Sequence, residues 1–212
     1  IKNILVNKLD AHFIYVGKNF RFGKHAQGDC KQLEAVSKKY NFKLKVFDVI
    51  KVNNKAISST YIRKLIKDGK LEAAQRLLMR RVSILGTVVR GNFLGRRLGF
   101  PTANINPHHE VIPPQGVYAV RIIFNKKKLN GICYIGTKPT LKTKKMTHIE
   151  VHIFNFDKNI YGKYLEIQFI KKIRDEMKFD STFALAAQVK KDIKTLKTCI
   201  SHHRSIPQYI PS

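Results

Sequence analysis

The stretch that decides the fold is Gly91-Asn92-Phe93-Leu94-Gly95-Arg96-Arg97-Leu98-Gly99-Phe100-Pro101-Thr102-Ala103-Asn104. Its three glycines leave backbone N–H groups free to approach an anion, and its two arginines supply fixed positive charge. Pro101 stiffens the exit, while Thr102 and Asn104 offer oxygen ligands of the hard type that Mg²⁺ accepts. From these residues alone the stretch is equally typical of a phosphate-binding loop and of a long hairpin loop that needs glycines for its turns.

The chain around this stretch has the apolar pattern of β-strands. Residues 82–89 alternate with a period of two, which predicts a strand. Further strands are predicted at 117–124, 132–135, 147–154 and 164–170. Successive strands joined by turns indicate a small antiparallel barrel or sandwich. Asp180 or Ser181 is placed to cap a closing amphipathic helix. The apolar face of that helix is predicted to consist of Phe183, Ala186, Val189, Ile193 and Leu196.

The first part of the chain has a different pattern. Residues 12–16 and 44–50 are predicted strands, and Asp29 can cap a helix between them that runs to about residue 40. This order suggests a βαβ unit with a parallel sheet. Two short helices follow, one opening at residues 58–60 and one over residues 71–78. The change of period near residue 80 predicts a boundary between domains at 1–79 and 80–200, followed by a tail at 201–212.

Composition limits the class of protein only weakly. The chain has 41 Lys and Arg against 14 Asp and Glu, a formal charge of +27. The cations are spread over its whole length, which favours a compositional bias over a dedicated nucleic-acid site. The three cysteines are far apart without metal-site spacing, so reduced thiols in the cytoplasm are expected. No run of apolar residues is long enough to span a membrane.

Glu150 is the candidate catalytic residue. In Ile149-Glu150-Val151-His152-Ile153 the aliphatic side chains share one face of a strand, which puts Glu150 and His152 on the other. A carboxylate there can accept a proton from a hydroxyl nucleophile. The alternative is a solvated cross-strand partner for a lysine.

These residues resemble the motifs of bacterial bifunctional riboflavin kinase/FMN adenylyltransferases, also called FAD synthetases. The defining kinase motif is matched by Leu98-Gly99-Phe100-Pro101-Thr102-Ala103-Asn104-Ile105. Later landmarks arrive in order: Gly116-Val117-Tyr118-Ala119, Ile135-Gly136-Thr137-Lys138-Pro139-Thr140, Glu150-Val151-His152-Ile153-Phe154, Tyr161-Gly162-Lys163 and Ile173-Arg174-Asp175-Glu176-Met177-Lys178-Phe179. Upstream, residues 16–23 and 57–63 resemble the back half of the adenylyltransferase domain.

The resemblance implies a fold and an activity. The fold is an incomplete nucleotidyltransferase-type α/β domain, followed by a six-stranded Greek-key β-barrel with a C-terminal helix. The implied enzyme is a riboflavin kinase, a phosphotransferase to an alcohol group that converts ATP and riboflavin to ADP and FMN with Mg²⁺ or another divalent cation.

The resemblance also implies roles for particular residues. Glu150 would be the general base, Thr102 and Asn104 would bind the metal and nucleotide phosphates, and Arg174 and Phe100 would lie on the flavin side. The implied nucleotide contacts are Gly91, Gly95, Arg96, Gly99, Pro101, Thr102, Asn104, Ser59, Thr60 and Arg63.

The adenylyltransferase half departs from the family pattern. Its His-x-Gly-His phosphate-binding motif is absent, and Asn19 stands where the family usually carries Asp. We therefore expect little or no conversion of FMN to FAD by this chain alone. Two alternatives are a truncated or decayed inactive family member and a basic nucleic-acid-binding β-barrel, for which Phe93, Phe100 and Tyr118 would be the base-stacking aromatics. The expected partners are small-molecule substrates, with no specific nucleic acid and no membrane; the sequence gives no oligomeric state.

Overall fold

The structure is a computed structural model that describes residues 1–52, 55–91, 95, 99–108, 110–138 and 146–202. The chain divides into two compact units, residues 1–58 and 59–212. In the first unit, a π-helical turn and a 3₁₀ turn accompany one helix and four short strands. These elements are the turns Lys2–Val6 and Lys24–Ala26, helix α1 Cys30–Lys39, and strands β1 Phe13–Gly17, β2 Lys43–Phe47, β3 Lys51–Val52 and β4 Lys55–Ala56.

The first unit contains the predicted βαβ arrangement. Strands β1 and β2 pair in parallel, and α1 lies between them in the chain. Asp29 caps α1 as expected, since its Oδ1 accepts a hydrogen bond from the backbone N–H of Gln32 at 3.0 Å. A small core of Val16, Leu33 and Phe42 holds the helix against the sheet. The prediction of a partial α/β domain is confirmed at this level.

The second unit is built from helices, six long strands and a closing helix. Its elements are α2 Ser59–Lys67, α3 Leu71–Leu78, β5 Ser83–Val89, β6 Ala103–Pro107, β7 Gly116–Phe124, β8 Lys127–Lys138, β9 Met146–Ile153, β10 Tyr164–Arg174 and α4 Thr182–His202. The six strands close into a barrel in the order β10-β5-β6-β9-β8-β7, and every pairing is antiparallel. Because β6 pairs with β9 rather than with its successor β7, the connection is of the Greek-key type. The predicted six-stranded barrel is confirmed.

Alternation along each strand fills the barrel. Ile84 and Val88 of β5 point inward and are 0% and 2% exposed, as the period of two predicted. Strand β7 is buried on both faces: Tyr118 faces the interior, whereas Val117 and Ala119 face outward and pack with Leu196 of α4. At β7 the barrel wall is therefore covered on its inner face by the barrel core and on its outer face by α4.

Helices α2 and α3 belong to the same core as the barrel. Leu65, Leu71 and Ala74 are buried in one cluster with the interior side chains of the strands. Gln75 Nε2 donates a buried hydrogen bond to the carbonyl of Phe169 in β10 at 3.2 Å. The compact unit thus begins at Ser59. The domain boundary expected between residues 79 and 80 stays a prediction.

The closing helix differs in part from its predicted face. Ser181 is the cap, because its Oγ accepts from the N–H of Ala184 at 3.1 Å. Phe183 is 84% exposed, so its predicted place on the apolar face is wrong; it stands in the first turn, before the helix reaches the barrel. The acidic side chain of Asp192 lies instead among the buried residues of α4, with 3% exposure.

Two further observations bear on the class of protein. In the described part of the chain, no helix combines the length and apolarity needed to cross a membrane. Cys30 and Cys133 are free thiols, and burial raises the pKa of Cys133 far above its usual range, so it stays a neutral core residue.

Candidate active site

The glycine-rich stretch folds back on the residues that follow it. A Cβ added at Gly91 would lie 1.9 Å from Nδ2 of Asn104, and one added at Gly95 would lie 2.5 Å from the carbonyl oxygen of Phe100 and 3.0 Å from Oγ1 of Thr102. The backbone N–H of Phe100 also donates to the carbonyl of Gly95 at 2.8 Å. These two glycines are needed because backbone and side chain approach closely.

Gly99 serves the same stretch differently. Its φ of +82° lies in the left-handed region, and no atom stands within 4 Å of an added Cβ. It is therefore a turn glycine rather than a contact glycine.

Strand register places the polar candidates in one row across the barrel wall. Asn104 of β6 lies opposite Glu150 of β9, and Glu150 lies opposite Tyr134 of β8. Tyr134 lies opposite Val117, which in turn lies opposite Arg174 of β10. Directly opposed residues project to the same side of a sheet. The row therefore faces outward, toward the side of the wall that α4 covers.

Both oxygens of the Glu150 carboxylate are held. Oε2 accepts a hydrogen bond from Oγ1 of Thr102 at 2.9 Å, and Oε1 lies 2.5 Å from Nε2 of His148. The side chain of Glu150 is 27% exposed, so it is largely shielded but still accessible. His152, on the same strand face as predicted, instead donates from Nδ1 to the Pro101 carbonyl at 2.8 Å.

The far end of the row carries a buried ion pair. Arg174 Nη2 and Nε lie 2.9 and 3.1 Å from Oδ2 of Asp192, and the carboxylate is only 4% exposed. Gln188 Nε2 donates to the same carboxylate at 2.9 Å. The pair ties β10 to α4 and leaves the Arg174 guanidinium over the ring of Phe179, 5.7 Å from its centroid.

Tyr134 is the aromatic member of the row. Its hydroxyl donates a short hydrogen bond to the Glu176 carboxylate. Burial raises the pKa of Tyr134 far above its usual range, and the bond to Glu176 raises it further. Gly136 makes this placement possible, because a Cβ there would lie 2.1 Å from the Tyr134 hydroxyl oxygen.

Two cavities meet at Thr102. The first, which we call the loop-side cavity, has a volume of about 460 Å³. Its lining combines apolar residues at the barrel mouth with a polar rim: Val88, Pro101, Thr102, Ala103, Val151, Ile153, Phe156, Asp157, Lys158, Asn159, Ile160 and Tyr161. The second, the helix-side cavity, has a volume of about 330 Å³. It lies under α4 and is lined by Gly95, Phe100, Thr102, Val117, Ile132, Tyr134, Glu150, His152, Arg174, Met177, Phe179, Leu185, Val189 and Asp192.

The structure gathers most of the predicted site residues at this junction. Glu150, Phe100, Arg174, Gly95 and Thr102 line the helix-side cavity, and Pro101 and Thr102 line the loop-side cavity. Gly91 and Asn104 stand against each other behind Thr102. Arg96 lies outside the described residues.

The residues predicted on α2 are placed elsewhere. Arg63 Nη2 donates to Oγ1 of Thr60 at 3.2 Å, one turn away on the helix. Among the described residues that line the two cavities, none belongs to α2, so Ser59, Thr60 and Arg63 are not brought to this site. A nucleotide-binding role for them stays a prediction.

Several residues of the site were not predicted. Asp192 had a visible signal, an acidic residue inside the apolar spacing of the closing helix. His148 is two residues before Glu150 on the same strand, so the argument that paired Glu150 with His152 applied to it as well. Tyr134 and the rim at 157–159 carried no comparable signal, because their roles depend on β8 and on a loop that closes the barrel mouth.

A divalent cation would fit beside Thr102. Asn104 is 8% exposed, and its amide stands against Gly91. The Thr102 hydroxyl donates to Glu150, which leaves its lone pairs available. No group of three acidic, His or Cys side chains suitable for a metal exists in the described residues. The donor set is therefore one hydroxyl and one amide oxygen, suited to Mg²⁺ that takes its remaining ligands from substrate phosphates and water.

Comparison with known proteins decides the family. The model of the riboflavin kinase family matches residues 78–200. This chain belongs to the riboflavin kinase family. A second family model, FAD synthetase, matches residues 1–61, in agreement with the partial α/β domain.

Curated relatives of this chain match nearly its whole length. The bifunctional riboflavin kinase/FMN adenylyltransferase of Buchnera aphidicola subsp. Schizaphis graminum is 44% identical over 93% of this chain and 64% of its own length. The Escherichia coli K12 protein of the same name is 36% identical over 93% of this chain and 63% of its own. The chain thus spans less than two thirds of the length of these relatives. A crystal structure titled macrolide-efflux protein, from Streptococcus pneumoniae, is 29% identical with a TM-score of 0.72, covering 92% of this chain and 63% of that one.

The nucleic-acid alternative is not favoured by these findings. Tyr118, one of its three candidate aromatics, is fully buried inside the barrel. Phe100 packs edge-on against His152 in the helix-side cavity, and Phe93 lies outside the described residues. The intact junction of motif residues around Thr102 likewise speaks against a decayed riboflavin kinase domain.

Proposed function

We propose that this chain transfers the γ-phosphoryl group of ATP to the 5′-hydroxyl of riboflavin, giving FMN and ADP. The observation that carries the proposal is the meeting of two cavities at Thr102, with Glu150 on the helix side of the junction. Phosphoryl transfer needs two substrates held end to end with their reacting atoms in line, and it asks little covalent chemistry of the protein. Two cavities with one shared wall residue meet that need.

The helix-side cavity suits the flavin. Its aromatic and thioether side chains, Phe100, Tyr134, Met177 and Phe179, offer flat and apolar contact area for a tricyclic ring. The Arg174 guanidinium adds a fixed donor at one end. A ring bound there would direct its ribityl chain toward the Glu150 carboxylate, which lines the same cavity.

The loop-side cavity suits the nucleotide. Val88, Ala103 and Val151 supply an apolar surface for a purine, and Asp157 and Asn159 supply polar groups at its edge. The phosphates would then extend to Thr102 and to the glycine stretch, where Gly91 and Gly95 allow Asn104 and Thr102 to approach closely. Mg²⁺ held by Thr102 and Asn104 would neutralise phosphate charge as it builds up.

Glu150 would act as the general base. Its carboxylate takes the proton of the 5′-hydroxyl as the oxygen attacks the γ-phosphorus, and the bond to the β-phosphate oxygen breaks to release ADP. Such a base contributes about 10²–10⁴-fold to the rate. FMN formation is therefore proposed for this chain, whereas FAD formation is not expected from it alone.

The test is an assay with riboflavin and Mg-ATP in which riboflavin, FMN and FAD are separated by chromatography. We expect FMN without FAD. Glu150→Gln should lower kcat by about 10²–10⁴-fold while ATP-analogue binding is kept, since the amide fills the same space but accepts no proton.

The matched control for this substitution is Glu166→Gln. Glu166 stands on β10 outside both cavities, paired with Gln168 at 3.2 Å, and its variant should turn over normally. Folded chain that makes no FMN would refute the proposed function, and unchanged turnover in Glu150→Gln would refute the role of the base. We propose small molecules in the cytoplasm as its partners, rather than nucleic acid or a membrane.

A further inference from the structure

His148 is the nearest neighbour of the proposed base that the proposed reaction does not yet use. It precedes Glu150 by two residues on β9, so both side chains project from the same face of the strand. Its Nε2 lies 2.5 Å from Oε1 of Glu150, and the two side chains are 17% and 27% exposed. The contact is thus short and largely shielded from water.

A proton must lie between these two atoms. Two lone pairs facing each other at 2.5 Å would repel, so an ionised Glu150 carboxylate requires His148 to present an N–H at Nε2. His148 is therefore the hydrogen-bond donor to the ionised form of Glu150, which is the form that acts as the base. The opposite oxygen, Oε2, already accepts from Thr102 at 2.9 Å.

The two donors together fix the plane of the carboxylate. With one donor on each oxygen, rotation about the terminal bond of Glu150 would break both hydrogen bonds. A carboxylate held by Thr102 alone could swing away from the helix-side cavity. Each oxygen keeps a second lone pair, so the fixed carboxylate can still accept the substrate proton.

Other side chains near Glu150 do not replace His148. Tyr134 lies opposite Glu150 on β8, but its hydroxyl donates to Glu176. Asn104 lies opposite Glu150 on β6, but its amide stands against Gly91. In the described part of the chain, His148 is thus the one donor to Oε1.

We propose that His148 is a positioning residue for the phosphoryl transfer, which holds the Glu150 carboxylate in the orientation that accepts the hydroxyl proton. The inference rests on the proposed function, because it concerns the base of that reaction. It predicts that His148 affects turnover but not the binding of either substrate, since it lines neither cavity.

The test measures kcat, and KM for riboflavin and for ATP, in three variants. His148→Ala should lower kcat by about 10- to 100-fold, the order of magnitude for a misplaced catalytic group, with little change in the KM for riboflavin or ATP. His148→Gln should restore most of the loss, because its side-chain amide can reach and donate to Oε1. His108→Ala is the matched control: this imidazole likewise has a side-chain partner, the Thr87 hydroxyl at 2.7 Å, but it lies outside both cavities, so the variant should leave kcat unchanged.

A double variant separates positioning from general damage. In the Glu150→Gln background, His148→Ala should cost almost nothing further, because His148 acts only through the carboxylate. A multiplicative loss in that background, or a KM that rises with kcat unchanged, would overturn the proposal while leaving the kinase function intact. A wild-type chain that makes no FMN would instead remove the proposed function, and this inference with it.

Discussion

The buried pair between Arg174 and Asp192 gives a stability prediction that can be worked from the structure. Asp192→Asn removes the negative charge but keeps the shape of the side chain. The Arg174 side chain is 17% exposed, and among the described residues its guanidinium would keep as acceptors the Asp175 carbonyl, 3.0 Å from Nη1, and the new amide oxygen. Breaking one side of a buried ion pair costs roughly 3–5 kcal/mol, because the remaining charge is left without compensation.

We expect the lower end of that range, about 3 kcal/mol, since some acceptors remain. For a chain of this size the melting temperature should fall by about 6–12 °C. Urea unfolding followed by circular dichroism measures the free-energy difference directly. The matched control is Asp175→Asn: that carboxylate pairs with Lys172 at 2.5 Å but is 87% exposed. A surface pair contributes about 0–1 kcal/mol, so the control should lose little.

The comparison has a clear refuting result. If Asp192→Asn and Asp175→Asn lose equal stability, burial does not decide the strength of these pairs and the reasoning is wrong. A further variant isolates the charge: Arg174→Met combined with Asp192→Leu replaces the pair with apolar groups and should recover most of the loss. The conversion of riboflavin to FMN should nevertheless be impaired in that variant, because Arg174 lines the helix-side cavity.

Two more predictions follow from single positions. Gly91→Ala should displace the Asn104 amide and weaken the binding of an ATP analogue by about tenfold or more, whereas Gly99→Ala has open space and should cost only about 1–2 kcal/mol of stability through its backbone conformation. Calorimetric titration with the ATP analogue measures the affinity of both variants, and thermal unfolding measures the stability cost at Gly99. Equal affinities would contradict the contact at Gly91. Burial raises the pKa of Tyr118 from 10.0 to about 12, so between these values the folded protein holds a proton that the unfolded chain loses, and stability should fall as pH rises. Tyr118→Phe should lower the free energy of unfolding at pH 7 by about 1 kcal/mol, because the hydrogen bond to the Pro114 carbonyl is lost. Its urea midpoint should nevertheless fall less steeply from pH 10 to 12 than that of the wild-type chain. An equal slope in the two proteins would contradict the assignment.

Local patterns were enough to predict most of the elements. The period of two in β5 and the cap at Asp29 each depend on residues close together in the chain, and both appear as expected. Strand β6 was not recognised as a strand, although its residues were singled out as ligands; its Asn and Pro content is unusual for a strand. The prediction for Phe183 was wrong for a related reason. Helix periodicity predicts which face is apolar, but it does not predict where along its length the helix contacts the barrel.

The family motifs predicted which residues belong to the candidate site. They did not predict the contacts that depend on long-range packing. Thr102 and Glu150 are 48 residues apart and share a hydrogen bond; the motifs named both residues, but they did not predict this bond. The donors and walls around them come from register: the pairing of Glu150 with Tyr134, and of Val117 with Arg174, cannot be read from any single segment. Asp192 depends in addition on where α4 crosses the barrel.

The helices α2 and α3 have a consequence for how the kinase unit holds together. Their side chains complete the interior of the barrel, and Gln75 is bound to the backbone of β10. A polypeptide cut at residue 78, where the family match begins, would lose part of its own core. We therefore expect residues 59–78 to unfold cooperatively with the strands. The amide hydrogens of α3 should then exchange with solvent as slowly as those at the barrel centre. The smallest independently folding module that contains the barrel would begin near Ser59, where the second compact unit begins.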